Sequence, residues 1–288
     1  MTLAELVPLG VKISIVTIVF ALGLSARPRD LVHLVRHPAL AARSALAIML
    51  VMPIVAVLLV KFVGLSAPVA IMLIALSLAP TPPILPRKQL KAGGDASYAI
   101  SLLATMGLVS ILWVPLALEL IQRVSGLPLG IATPKVASVV AVTILIPLLA
   151  GIALAYFAPA LAAKLAPIVS KAGLLLLVVV ALLILVSQWR HMAGLVGDGT
   201  VLAFVAFVVV GLAVGHALGG PDPSDRTVLA LATASRHPGL ALAVAHVNYP
   251  DAKALVAAVL LFLVVNIVVS IPYAAWRKRA GAADALKL

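Results

Sequence analysis

A positive charge in the middle of an apolar segment constrains this chain more than any other feature. Residues 231–242 read Leu-Ala-Thr-Ala-Ser-Arg-His-Pro-Gly-Leu-Ala-Leu, inside an apolar run from near Ser224 to near His246. Arg236 therefore lies about ten residues in, roughly 15 Å along a helix and about half the thickness of a bilayer core. A charge at that depth costs several kcal/mol and faces a partner or a water-filled cavity. Pro238 cannot donate the backbone bond a continuous helix needs, and Gly239 relaxes the local geometry. The pattern predicts a broken transmembrane helix with a cation at the break. The alternative, a plain proline kink with Arg236 snorkelling to an interface, conflicts with the depth.

Composition sets the frame for that segment. Of 288 residues, 64% are hydrophobic and 10% charged, which is a polytopic, all-α membrane protein and not a soluble domain. There is room for about nine spans of roughly 20 residues. No polar stretch is long enough for a separate soluble domain, so residues 1–288 read as one transmembrane unit. Met1 to Gly10 has Glu5 and no basic residue, unlike the start of a signal peptide. The absence of cysteine excludes disulfides, thiolate metal sites and cysteine nucleophiles. The net charge of +12 sits at helix ends, so it reports topology and not nucleic-acid binding.

Taken in order, helix 1 is expected at about Val7–Leu24, helix 2 at about Leu40–Val60 with Pro53 inside it, and helix 3 after Ser66. Pro80, Pro82, Pro83 and Pro86 then break helix 3, and Arg87 to Ala92 forms a short amphipathic piece. Helices 4 to 7 follow at about Ala96–Gln122, Lys135–Phe157, Leu165–Trp189 and Val201–Leu218. Broken helix 8 occupies about 225–247. Helix 9 runs from about Ala252 to Trp276 and ends in Arg277-Lys278-Arg279. Most loop cations, from Arg27 through Lys88 to Lys278, fall on one side; Lys61, Arg123, Lys135, Arg190 and Lys253 fall on the other. The first side is then cytoplasmic, with the N-terminus outside and the C-terminus inside an inner membrane.

Interrupted segments in corresponding positions of two halves mark the binding site of a secondary transporter. Here these are 66–92 and 225–247. Freed backbone groups are tolerated only where protein or a water-filled cavity covers them, and half-helix N-termini suit an anion. The alternative is two unrelated kinks. No metal-ligand spacing, hydrolase motif or P-loop is found, so no enzyme, metal or cofactor is expected. Gly211, Gly215 and Gly219 have small-xxx-small spacing, which means close helix packing or a dimer seam; the oligomeric state stays open. Trp113, Trp189 and Trp276 are expected as interfacial anchors.

Several segments together resemble the bile acid:sodium symporter family. Phe20-Ala-Leu-Gly-Leu-Ser25, Arg27-Pro-Arg-Asp30 and Arg36-His-Pro38 are similar to its entry motif, and Met52-Pro53 to the Met-Pro of its next helix. Pro80 to Asp95 aligns without gaps on its first crossover, matching at Pro80, Ala92, Gly94 and Asp95. Ala232 to Leu240 aligns on its second crossover, matching at Gly239 and Leu240. Asn266 stands where the family keeps an asparagine facing the substrate. The resemblance implies two inverted five-helix repeats split into a panel (about 7–24 and 135–189) and a core (about 40–122 and 199–276). On this resemblance the family's usual first helix is expected to be missing, which again gives an expectation of nine spans.

The departures concern sodium. The family's ligand positions fall here on Leu85, Pro86, Ala99, Leu103, Ala232, Arg236 and Ile48, none of which offers a side-chain oxygen. Ser101 and Thr105 keep a serine–threonine spacing two residues later. The expectation is transport of a small organic anion without sodium, with Arg236 as the cation that replaces sodium or as the anion's direct partner. His237, Ser235, Asn266, Pro80, Thr81 and Gly239 complete the expected substrate site. The alternatives are proton coupling through His237, and a membrane sensor or scaffold on the same fold with a sealed core.

Overall fold

The computed structural model describes residues 3–26, 32–82, 84–125, 138, 141–238, 241 and 253–285. Among these residues the secondary structure is entirely helical. The helices are α1 (Leu3–Ser25), α2 (His33–Arg36), α3 (Pro38–Val63), α4 (Ala67–Leu78), α5 (Leu85–Lys91) and α6 (Ala96–Ser125). They continue with α7 (Ala141–Phe157), α8 (Pro159–Gly194), α9 (Thr200–Leu218), α10 (Pro223–Ala234) and α11 (Lys253–Ala285).

Among the described residues, α3, α8, α9 and α11 are long and apolar enough to cross a membrane. The bent α6 makes a fifth. Its two arms, Ala96–Ser110 and Leu112–Val124, differ in direction by 57°. Pro115 lies four residues past residue 111 and removes the hydrogen bond that would close the helix there. Leu9–Ser25, Ala67–Leu78 and Ala141–Phe157 are apolar but shorter.

Two packing groups emerge. α1 lies against α7 and α8; α9, α10 and α11 pack with α3 and α4; α8 and α11 join the two groups. Lipid is as apolar as leucine, so close backbone approach must hold such helices together. Gly23 and Gly151 supply it between α1 and α7, where added Cβ atoms would strike the facing backbone. Gly211, Gly215 and Gly219 supply it between α9 and α10, facing Ala234, Ala230 and Arg226 in turn. The glycine stripe is therefore a seam inside the chain.

Proline chemistry shapes two of the helices further. In α3, Leu46–Val51 forms a π turn, in which Met52 N donates to Ala47 O five residues back. In that register the next carbonyl, that of Ile48, would pair with the nitrogen of Pro53, which has no hydrogen. The Ile48 carbonyl is thus left for another donor. The same order, a π turn (Ala141–Leu145) followed by Pro147, recurs in α7.

Helix α10 is fastened at its first turn. Asp222 caps it by accepting from Ser224 N (2.7 Å) and Ser224 Oγ (2.8 Å). These two bonds hold the Asp222 carboxyl below the usual carboxylate range. Arg277 Nε donates to Thr227 Oγ1 (2.8 Å), and Arg277 Nη2 to Pro223 O (2.9 Å). Gln89 Nε2 on α5 donates to Val228 O (2.8 Å).

The last helix does not end at Trp276 as expected but runs to Ala285, and Arg277 is buried against α10 and not in a terminal basic tail. Nothing in residues 277–279 is a helix stop, and the bonds to α10 hold the extension. Trp189 and Trp276 are exposed as anchors should be, but the Trp113 indole nitrogen is buried with no partner among the described residues. Helix 8 beyond Pro238, including Gly239 and His246, lies outside the described residues apart from Ala241.

Candidate functional site

The expected breaks are where the sequence places them, and they touch. α4 ends at Leu78 because Pro80 cannot donate to the carbonyl of Leu76, and Pro82 prevents its resumption. α10 ends at Ala234 for the same reason: Pro238 cannot donate to the Ala234 carbonyl. His237 N then donates to Pro80 O across the crossing at 2.9 Å. Asn266 Nδ2 on α11 donates to the Ala234 carbonyl that Pro238 leaves open, at 2.8 Å. That bond fixes which way the amide faces. It leaves the second N–H and the oxygen of Asn266 for other partners.

Arg236 follows directly on the C-terminus of α10 and is 1% exposed. Its Nη1 donates to Ala79 O at 3.5 Å and its Nη2 to Ile48 O at 3.3 Å. The guanidinium carbon stands 5.9 Å from the centre of the Phe207 ring, within cation–π range. Phe207 is itself backed by Phe262. Both bonds are long and individually weak. Their donors reach the carbonyl stranded by Pro53 and the last turn of α4. The described residues thus bring C-terminal helix ends and loose carbonyls to the crossing. Those carry partial negative charge and favour a cation. Of the half-helix N-termini expected to greet an anion, only that of α5 is among the described residues. α5 is a single short helix past the first break, and the second half of helix 8 is outside the described residues.

A cavity of about 240 Å3 lies beside the crossing, between α1 and α8 on one wall and α5, the 235–238 break and α11 on the other. Ser235, Arg236, His237, Pro238, Asn266 and Lys88 line it together with aliphatic side chains. A second space of about 20 Å3, room for a single water, touches Pro80, Thr81 and His237 on the far side. Of the expected substrate residues, Ser235, Arg236, His237 and Asn266 share the main cavity. Pro80 and Thr81 border only the small one, and Gly239 lies outside the described residues. Thr81 Oγ1, Thr233 Oγ1 and Arg236 Nε are buried with no partner among the described residues. Sequence reasoning missed the carbonyls of Ile48 and Ala79 as partners of Arg236, and it read Lys88 only as a topological charge. The position of Pro53 was the available signal for the first.

The position between the carbonyls of Ile48 and Ala79 is filled by a tethered guanidinium, which offers no oxygen. No group of metal-ligating His, Asp or Glu is present among the described residues.

No curated protein matches the chain. The model of the Sodium Bile acid symporter family does match it, over residues 12–195, and so takes in the first break but stops before the second. Members of that family are transporters and not enzymes. With multiple apolar spans, two helix ends meeting at a buried cation, and a family match covering more than half of its length, this chain belongs to the Sodium Bile acid symporter family.

Proposed function

We propose that the protein is a secondary transporter that carries a small organic anion across the inner membrane without sodium. The observation that carries this is the cavity of about 240 Å3 that ends on the crossing residues. In this reading nine spans form two inverted repeats, with the N-terminus outside and the C-terminus cytoplasmic. The α1, α7 and α8 group is the panel, and the remaining helices are the core. Ser235, His237 and Asn266 contact the substrate. Arg236, carried at the end of α10, does the work of a bound sodium ion, holding the Ala79 carbonyl past α4 and the stranded Ile48 carbonyl of α3. A sensor or scaffold on the same fold would need no such cavity, which favours transport.

The test is uptake into proteoliposomes with sodium or choline as the external cation. Equal rates are expected, and a strict sodium requirement would overturn the proposal.

A second reading has one observation in its favour: His237 borders both spaces, and Thr81, whose Oγ1 has no partner among the described residues, borders the smaller one. A water there would connect Thr81 to the ring, a route for a proton through the crossing. If His237 relays protons, uptake responds to a pH gradient, and His237→Gln flattens that response while substrate exchange persists. An unchanged pH profile in the variant would remove the relay.

A further inference from the structure

The cavity has a second cation that the crossing does not use. Lys88 lies on α5, about one turn past the first break. Its side chain is exposed and lines the same cavity as Ser235, Arg236 and Asn266. Its neighbours in sequence are both committed elsewhere. Arg87 Nη2 donates to Ser170 Oγ on α8 (2.9 Å), and Gln89 Nε2 donates to Val228 O on α10 (2.8 Å). Anchored on both sides, α5 turns Lys88 into the space between them.

The two cations differ in what balances them. Arg236 is 1% exposed and gives Nη1 and Nη2 to carbonyls, while its Nε has no partner among the described residues. Lys88 has neither a hydrogen bond nor a carboxylate within ion-pair distance among the described residues. No Asp or Glu among the described residues lines the cavity. Low-dielectric walls around an uncompensated ammonium focus its field and draw in an anion.

The remaining lining specifies the rest of the ligand. Among the described residues it is aliphatic, with Ile15, Ile18, Leu177, Ile184 and Leu260 among its side chains and no aromatic ring. A cavity of about 150 Å3 takes benzene. By proportion, about 240 Å3 takes a body of on the order of ten non-hydrogen atoms.

We propose that Lys88 is the residue that meets the substrate's negative charge, and that the substrate is a compact aliphatic anion with a single carboxylate-like head. This rests on the transporter reading and names its substrate class and its charge-recognising residue.

The experiment uses the full chain in lipid nanodiscs. Binding of butyrate, octanoate, hexadecanoate, octanol and octylamine is measured from ligand-induced shifts in Tm. Octanoate is expected to bind best, with octanol and octylamine giving no shift. Lys88→Gln should raise the Kd for octanoate about tenfold or more while leaving the unliganded Tm unchanged, and Lys88→Arg should restore most of the affinity.

Octanoate binding that is equal in wild type and Lys88→Gln would overturn the proposal, as would equal binding of octanol. No shift with any carboxylate would overturn it too. Tightest binding by hexadecanoate would give the cavity to a lipid acyl chain and overturn it as well. Lys88-dependent octanoate binding in a protein that fails to move octanoate in proteoliposomes would sink the transport reading and leave the Lys88 assignment standing.

Discussion

Arg236→Gln and Arg236→Lys should both lower the Tm of the unliganded protein while leaving the stabilisation by bound substrate intact. The expectation follows from where the guanidinium points. Its Nη1 and Nη2 donate to Ala79 O and Ile48 O, carbonyls stranded by the end of α4 and by Pro53. In a bilayer no water replaces a lost partner. Each stranded carbonyl costs about 1–3 kcal/mol, and removing a buried charge returns part of that through relief of desolvation. The net loss expected is about 2–3 kcal/mol. Lysine carries the charge but cannot fork to two carbonyls, so it should recover only part of the stability. Glutamine is shorter and offers one donor group, so it cannot span both carbonyls. Transport should fall for every substrate alike, because the crossing itself is loosened. The measurement is thermal unfolding of the three proteins with and without a saturating anion. If Arg236→Gln keeps the wild-type Tm and loses only the ligand shift, Arg236 is the anion's partner and the tether is wrong.

The crossing shows how far a sequence of this kind can be read. Pro80, Pro238 and Arg236 were legible because each violates a rule of membrane helices: a missing donor, or a charge at depth. Their consequences were not. Ile48 was recognised only as a side chain that cannot bind sodium. Its backbone oxygen became the partner of Arg236 through a π turn, which no apolar periodicity reveals. Asn266 was placed on the family's substrate-facing asparagine, yet its amide also completes α10 by bonding to Ala234 O. That bond depends on how α11 lies against α10, a tertiary fact. Lys88 was counted among the cytoplasmic charges, since a lysine within a turn of a helix end reads as topology until a cavity stands beside it. The helix boundaries drifted where tertiary bonds prolong a helix, as at Arg277.

The glycine stripe of α9 leads to the second large effect. A Cβ on residue 215 would stand 2.5 Å from Ala230 Cα and 2.5 Å from Leu229 O, and one on residue 211 would stand 2.8 Å from Ala234 Cα. Both neighbours are backbone atoms of α10, so neither can swing aside as a side chain would. The helices must separate, at about 1–3 kcal/mol for a single methyl in a packed interface. Gly215→Ala should therefore lower Tm more than Gly211→Ala, and Gly215→Leu should prevent recovery of folded protein. The damage should reach function before it reaches the fold, because α10 carries Arg236 and His237 at its end. An ångström of separation there stretches the His237–Pro80 and Asn266–Ala234 bonds, each below 3 Å in the native crossing. Gly215→Ala should thus lose most uptake while remaining monodisperse. A dimer seam predicts the opposite pattern, with Gly215→Ala changing the oligomeric state but not the unfolding temperature of the protomer. Light scattering and thermal unfolding of one preparation separate the two outcomes.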